Sequence, residues 1–439
     1  MEASVQNFSA KGYGLAGDVE IAHVIPGDRI LFELTRKKRL PQKGRLLEVL
    51  TPSADRVEPR CIHARTCGGC CWQQMAYDAQ LKQKEARVRK AFNRNPDPII
   101  PCDTPFHYRN KMEFTFSENR AGQKFLGLMI AQAEPYVFNL TECHLTNPWF
   151  ASALASVRTW WETSGVKAYN PPSDTGSLRY LTLREGMRTG QRMAILNVSG
   201  NPDFALTRAH LDGYAAALPA GTSVFLRIHQ AKKGRPTNFY EMHLAGPDHI
   251  VEELRLQHKT FAFKISPISF FQPNTLAAEK LYDTAISMLP SSSVVYDLYC
   301  GTGTLGMAAS ARARQVVGIE LSPESVIDAQ ENLHRNGISN MTIHQGDVGQ
   351  VITQLMASPD FLRPDAIIVD PPRAGLDPLA LHHLKTLLPK TIIYISCNPL
   401  TQAENVQELL KVGYQLKRLQ PLDQFPHTYH IENIALLER

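Results

Sequence analysis

The sequence predicts an α/β protein. Its carboxy-terminal part, residues 261–439, reads as a doubly wound, mostly parallel sheet, preceded by a small β-rich unit at 1–60 and a β-rich middle unit at 61–260. Three observations lead there. Across 261–439 short apolar runs alternate with helical patterns, the texture of a parallel sheet wound with helices. A glycine-rich turn follows the first of those runs. Across 1–60, by contrast, Gly12, Gly14 and Gly17 punctuate short alternating runs with no helical pattern between them.

The elements follow in order. In the first unit Arg29–Leu34 and Arg45–Leu50 read as strands, and between them lie Arg36, Lys37, Lys38, Arg39 and Lys43 without one acid. That run is either a solvated hairpin loop or a loop that touches phosphates. The middle unit opens with a cysteine group and a basic helix over Tyr77–Phe92, then reads as strands at Lys111–Ser117, Phe125–Ile130, Arg192–Val198 and Ser223–His229. The last unit has apolar runs at Val294–Leu298, Val316–Glu320, Met341–His344, Ala366–Asp370 and Thr391–Ser396. Its clearest helix, Pro323–Asn336, places Val326, Ala329, Gln330 and Leu333 on one face. Gln415–Leu419 and Ile434–Leu437 have no helix between them and fit an antiparallel pair at the sheet edge.

Composition narrows the class. The 439 residues are 43 % hydrophobic and 20 % charged, which suits a globular chain and excludes a disordered or fibrous one. With 47 Lys and Arg against 42 acids the net charge is +5, a mild excess compatible with a nucleic-acid partner. No run approaches the roughly 18 apolar residues of a membrane span, and the opening MEASVQNFSAKG has no basic-then-apolar leader pattern. The expectation is a cytoplasmic monomer with no membrane association and no obligate protein partner. Eight cysteines are too few for a disulfide scaffold, so they are expected to be thiols, metal ligands or catalysts.

The chemistry gathers at strand ends. Asp297-Leu-Tyr-Cys-Gly-Thr-Gly-Thr304 joins the first strand to a helix, and Gly301 and Gly303 allow a tight turn and close approach of a ligand to the main chain. Glu320 ends the next strand, where a carboxylate can accept from a ribose diol; Asp347 and Asp370 end the third and fourth. Gly301, Gly303 and Gly306 also satisfy a dinucleotide pattern, so the loop alone admits a nicotinamide cofactor. The acid before the loop, Asp297, suits a cationic ligand such as S-adenosylmethionine. The prolines of Asp370-Pro-Pro-Arg373 stiffen the exit from the fourth strand. Cys397, in Ser396-Cys-Asn-Pro399, ends the fifth. A pyrimidine C5 is a poor nucleophile until a thiolate adds at C6, and a base must later take the C5 proton. Glu432, beside two histidines in a weakly charged stretch, is the candidate base. The spacing Cys61-x5-Cys67-x2-Cys70 is that of metal ligands, with Cys71, Cys102 or Cys143 as a fourth; zinc and an iron–sulfur cluster both satisfy it.

Asp297-Leu-Tyr-Cys-Gly-Thr-Gly303, Asp370-Pro-Pro-Arg-Ala-Gly-Leu376, Ser396-Cys-Asn-Pro399 and Phe425-Pro-His-Thr-x-His-x-Glu432 stand here in the order found in one family. Nearly the whole chain resembles the RNA 5-methyluridine (uracil-C5) methyltransferases, in their iron–sulfur branch with an amino-terminal TRAM-like domain. Gly12–Gly17, Pro26-Gly-Asp28 and Arg56–Cys61 carry the TRAM likeness. The resemblance implies a Rossmann-like S-adenosylmethionine methyltransferase domain at 261–439 and an RNA-binding TRAM/OB-like β-barrel at 1–60. It implies Cys397 as nucleophile and Glu432 as general base, with Gln272, Tyr299, Thr304, Glu320, Asp347 and Asp370 at the cofactor. Phe270 or Phe271 would stack on the flipped base. A structural [4Fe-4S] cluster would sit on Cys61, Cys67, Cys70 and Cys143; Cys71, directly after the motif, departs from the family pattern. Members with both the TRAM-like domain and the cluster commonly act on large-subunit ribosomal RNA, so 23S ribosomal RNA is expected before transfer RNA. Two rivals stand beside this reading: an RNA cytosine-C5 methyltransferase, marked by a protonated carboxylate at N3, and a non-catalytic RNA-binding assembly factor.

Overall fold

The computed structural model describes residues 1–35, 41–230 and 238–439. Arg36–Arg39 of the basic run lie outside the described residues; Lys43 and Arg45 lie on the strand Gln42–Thr51. The first residues build a six-stranded sheet, with Glu2–Ser4 antiparallel to Arg29–Leu34 at one end and Asn7–Phe8 at the other. It encloses a core of its own, including Val5, Val19, Ile21, Ile30 and Phe32.

The middle of the chain forms a seven-stranded sheet. In spatial order its strands are Asn238–Ala245, Ser223–Gln230, Arg192–Ser199, Leu178–Glu185, Lys111–Glu118, Lys124–Met129 and Val137–Asn139. One face is covered by the helices Trp149–Ser164 and Arg208–Ala216, around Phe114, Phe150, Trp161 and Leu181. The opposite face turns Met193, Ile195 and Phe225 toward the carboxy-terminal body, where they share a core with Phe263, Leu281 and Ile395.

That body holds the second seven-stranded sheet, ordered Met341–Gln345, Ala313–Glu320, Ser292–Leu298, Ala366–Val369, Thr391–Ser396, Glu432–Glu438, Gln415–Leu422. The first five are parallel, and the last strand of the chain inserts antiparallel between its two neighbours. The inner strands are apolar on both faces because helices cover both. Val295, Ile368 and Ile393 are fully buried, each worth roughly 1.5–3 kcal/mol of transfer free energy. Strand order reverses between Ser292–Leu298 and Ala366–Val369, and a doubly wound sheet opens a ligand crevice at such a point.

Packing crosses the boundary expected near residue 260. The helix Tyr77–Phe92 ends on Asn93 in the left-handed region, where its N–H donates to the Arg89 carbonyl. It buries Val88 and Phe92 in the same core as Val406 and Leu419. The hairpin Ile250–Leu256/Lys259–Ile265 packs on the helix Thr275–Ser287 through Leu254, Phe263 and Leu281. The chain therefore touches the carboxy-terminal body, leaves it to build the middle sheet, and returns. Among the described residues no helix is long and apolar enough to cross a membrane.

Candidate active site

The glycine turn is built by three residues with positive φ in sequence: Tyr299 at 64°, Gly301 at 54° and Gly303 at 83°. Gly303 caps the helix Thr304–Ala309, which starts the crossover to the next strand. Asp297 lies below the turn, fully buried. Its Oδ2 accepts from the Gly306 N–H at 2.7 Å, while Oδ1 is buried with no partner. Burial first, then the charges of Asp370 and Glu320, push its carboxyl up to about 7 against the Gly306 hydrogen bond. An orphaned carboxylate oxygen under a glycine turn is a place waiting for a donor or a cation.

Glu320 sits across the turn. Its two oxygens accept from the Gly301 N–H at 2.9 Å and the Ser322 N–H at 2.8 Å, which fixes the carboxylate and leaves lone pairs for a diol. Asp347 is the N-cap of the helix Val348–Met356, its Oδ1 accepting from the Gln350 N–H at 3.1 Å. Thr304 is buried at the first helical position. The Tyr299 hydroxyl donates to Asp377 at 2.9 Å, so its ring is pinned at the turn.

Next to this crevice opens a cavity of about 600 Å³ whose lining includes Gln272, Asp370, Arg373, Cys397, His430 and Glu432. Each arrives on a different piece of sheet edge. Asp370 follows Ala366–Val369, Cys397 follows Thr391–Ser396, and Glu432 opens the final strand. Asn398 ties two of these segments together. Its side chain caps the helix Pro399–Leu410 and its Nδ2 donates to the Arg373 carbonyl at 3.0 Å. The proline-rich turn and the cysteine turn are thus one unit.

Two acids, Asp370 and Glu432, face two arginines, Arg109 and Arg373, in the cavity lining. Asp370 is pushed up to about 7 by burial. Glu432 is raised well above the usual carboxylate range by burial and then by Asp370, with Arg373 opposing. Burial, Glu432 and Asp370 lift the Cys397 thiol to about 11; Arg373, hydrogen-bonded to it, pulls the other way. His430 is held down to about 4 by burial and by nearby arginines, so its ring is neutral. The arrangement can hold a proton on Glu432, deliver a thiolate against Arg373, and give it up again.

Of the two adjacent phenylalanines, Phe271 is 5 % exposed and packs on Phe263, whereas Phe270 is 63 % exposed and lines the cavity. Gln272 is buried beneath it. Arg109, Arg373, Phe425 and His430 line the same cavity without having been assigned a role from sequence. Arg373, Phe425 and His430 stand inside the recognised motifs; Arg109 carries no motif signal.

The cysteine loop packs on the end of the strand Lys124–Met129, where the Gly68 N–H donates to the Met129 carbonyl at 3.1 Å. The His63 ring bonds the Thr141 hydroxyl at 2.9 Å and the Ile62 N–H donates to Glu142 at 2.9 Å, which draws 61–70 onto 141–144. The thiol of Cys67 is raised by burial and then by Cys143 and Cys61, against hydrogen bonds from the Gly69 and Cys70 backbone; that of Cys70 is raised by burial and then by Cys67, Cys143, Cys71 and Cys61. Cys102 is elsewhere, beside Asn274, and Cys71 lies beside Tyr429, Lys84 and Arg87. Among the described residues no three His, Cys, Asp or Glu side chains converge closely enough to hold a metal ion as they stand.

Comparison with known proteins points one way. The family model described as tRNA (uracil-5-)-methyltransferase matches residues 241–439. An uncharacterised RNA methyltransferase of Protochlamydia amoebophila is 50 % identical over 441 residues, covering 95 % of this chain and 99 % of the relative. One from Caldanaerobacter subterraneus is 32 % identical over 450 residues, covering 99 % and 98 %. The crystal structure of the Pyrococcus abyssi tRNA (uracil-54, C5)-methyltransferase with S-adenosyl-L-homocysteine superposes with a TM-score of 0.79 at 24 % identity, covering all of both chains; this is a likeness of fold.

Proposed function

The chain belongs to the RNA uracil-C5 methyltransferase family, and on that premise we propose that it forms 5-methyluridine in RNA from S-adenosylmethionine, with Cys397 as nucleophile and Glu432 as base. The observation that carries this reading is the meeting of Cys397, Glu432 and Asp370 in one cavity beside the glycine turn. S-adenosylmethionine, when bound, supplies an electrophilic methyl group. The orphaned Asp297 oxygen, the fixed Glu320 carboxylate and the Asp347 cap suit a cationic, ribose-bearing ligand in the crevice, with Gln272, Tyr299, Thr304 and Asp370 around it.

The chain's own groups then divide the work. Phe270 offers a face to a uracil flipped from its stack, since a stacked base hides C6. Cys397 bonds to C6, and the displaced electron pair makes C5 nucleophilic. Once C5 is methylated, Glu432 removes the C5 proton, the C6–sulfur bond breaks, and Cys397 leaves as thiolate. Burial in an apolar, acid-rich floor gives Glu432 the raised basicity that step needs. RNA carrying 5-fluorouridine tests this directly, because fluorine cannot leave as a cation. A denaturant-resistant adduct with the wild type and none with Cys397→Ala is expected; methylation of ordinary RNA without any such adduct would sink the mechanism.

For the substrate we infer large-subunit ribosomal RNA, supported by the amino-terminal sheet, which we read as TRAM-like, together with the cysteine set. Transfer RNA is the second reading, favoured by the description of the matching family model. Mapping 5-methyluridine in both RNA fractions, with and without the gene product, decides between them. We further propose that Cys61, Cys67, Cys70 and Cys143 hold a four-iron cluster. The support is the approach of the Cys61–Cys70 loop to the Cys143 segment, drawn together by the His63–Thr141 and Ile62–Glu142 hydrogen bonds; a metal centre bound there would take the four as thiolates. Its contribution would be structural. Protein purified without oxygen should carry about four irons, and stoichiometric zinc would refute the cluster.

A further inference from the structure

Four cations, Lys111, Arg184, Arg227 and Arg109, meet beside the cavity, and Arg109 lines it. Lys111 and Arg184 are cross-strand partners, so two like charges stand on one face of the middle sheet. Such a pair costs roughly 0.2–1 kcal/mol. Arg227 lies two strands further along the same face, and Arg109, whose Nε donates to the Lys111 carbonyl at 3.0 Å, completes the group. The segment that carries Phe270 and Gln272 runs along them. Arg227 Nη2 donates to the Pro267 carbonyl at 2.9 Å, Arg184 Nη1 to the Ser269 carbonyl at 2.8 Å, and Asn110 Nδ2 to the Gln272 carbonyl at 3.0 Å.

Compensation is thin. Among the described residues, only Arg227 of the four forms an ion pair, with Glu241. Glu113 is near Lys111, and Asp328 and Glu252 are near Arg184. Asp328, however, accepts from the hydroxyls of Ser266 and Ser269, and Glu252 from Thr275 and the Met187 and Arg188 N–H groups. Arg184 is 1 % exposed with Nη2 unpartnered. Lys111 makes no side-chain hydrogen bond within the described residues, and burial followed by Arg184 and Arg227 drives it down to about 8. Clustered cations with one counter-ion among the four are destabilising on their own. An anion bound at the rim relieves them.

We propose that Lys111 and Arg109, backed by Arg184 and Arg227, form a phosphate clamp that grips the RNA backbone next to the flipped uridine. This rests on the RNA-methyltransferase reading and names the contact that would hold the target strand while Phe270 receives the base. Arg109 lines the reaction cavity itself, so a phosphate at this cluster lies at its entrance. Arg184 and Arg227 bind the Pro267–Ser269 carbonyls, so the clamp and the Phe270 segment move as one piece.

The test measures binding, with no methyl transfer in it. A fluorescent twenty-nucleotide oligouridylate is titrated with the full-length protein across a potassium chloride series. For Lys111→Met the slope of log affinity against log salt should fall by about 0.7, the increment of one single-strand phosphate contact, with affinity down several-fold at low salt. The melting temperature of the free protein should hold or rise. Lys259→Met, at the exposed first residue of the strand Lys259–Ile265, should leave the slope unchanged. An unchanged slope for Lys111→Met overturns the clamp, and so does an equal loss for Lys259→Met. Should Lys111→Met fold poorly, Arg109→Gln is read by the same slope. Adduct formation with 5-fluorouridine RNA is scored separately: normal slopes with no adduct would refute the C5 chemistry and leave the clamp standing.

Discussion

The floor of the cavity gathers acids, and the cluster beside its mouth gathers cations. At the floor, half-buried Asp370 stands with buried Glu432, whose charge Arg373 opposes, and Asp297 is buried under the adjoining glycine turn. At the rim, Lys111, Arg109, Arg184 and Arg227 gather with one ion pair between them. The Ser266–Pro273 segment separates the two. A protein selected for stability alone would bring such groups together; this one keeps them apart and tolerates strain in both places. The difference teaches what each end receives. A floor of acids suits a sulfonium and a carbon-bound proton, and a cluster of cations suits phosphate.

Breaking the floor should have the largest effect. Cys397→Ala should reduce methyl transfer by on the order of 10⁴-fold or more and abolish 5-fluorouridine adducts, read by gel shift under denaturing conditions. Glu432→Gln should slow turnover by roughly 10²–10⁴-fold. Here attack and methylation still proceed, so a covalent protein–RNA species should accumulate on ordinary RNA; absence of that species would remove Glu432 from the proton-abstraction step. Glu320→Ala should weaken S-adenosylmethionine about 10- to 100-fold by calorimetry and leave RNA affinity alone. Wild-type cofactor affinity in that variant would break the ribose assignment.

The smallest expected effect is on stability, and it sharpens the contrast. The Asp297 carboxyl has a folded-state value of about 7 against an ordinary 3.8. Between those values the folded protein binds the extra proton, so stability falls as pH rises through that window and the loss is complete above it. At about 1.4 kcal/mol per unit the full loss is at most about 4 kcal/mol. Asp297→Asn should therefore melt a few degrees higher than the wild type at pH 8, the gap closing toward pH 4, while binding S-adenosylmethionine less well. Equal melting curves at both pH values would show that the acid is not strained.

Much of the floor was legible in the sequence, because each of its parts sits in a short contiguous motif at the end of an apolar strand. Asp297, Glu320, Asp370 and Cys397 could be placed by strand counting alone, and the helix Tyr77–Phe92 by its periodicity. The rim was not legible. Arg109, Lys111, Arg184 and Arg227 come from three strands and one loop, and only register brings Lys111 opposite Arg184. The choice between Phe270 and Phe271 turns on which side of a turn faces Phe263, which no local pattern encodes. The docking of Tyr77–Phe92 on the carboxy-terminal body escaped for the same reason: its partners lie more than three hundred residues away.

That last contact sets a clock. Lys84 is buried against Asp423 at 2.5 Å, and Gln80 and Trp72 hold the His427 backbone, across gaps of 339 to 355 residues. At roughly 5–20 residues per second of synthesis, about 20–70 s pass between the emergence of Lys84 and that of its partner. Through that interval the amino-terminal sheet can already close on its own core. The helix Tyr77–Phe92, with Val88 and Phe92 uncovered, must wait. The nascent chain thus closes its amino-terminal sheet first and its reactive cavity last, and it depends on shelter from aggregation until the final strand has been made.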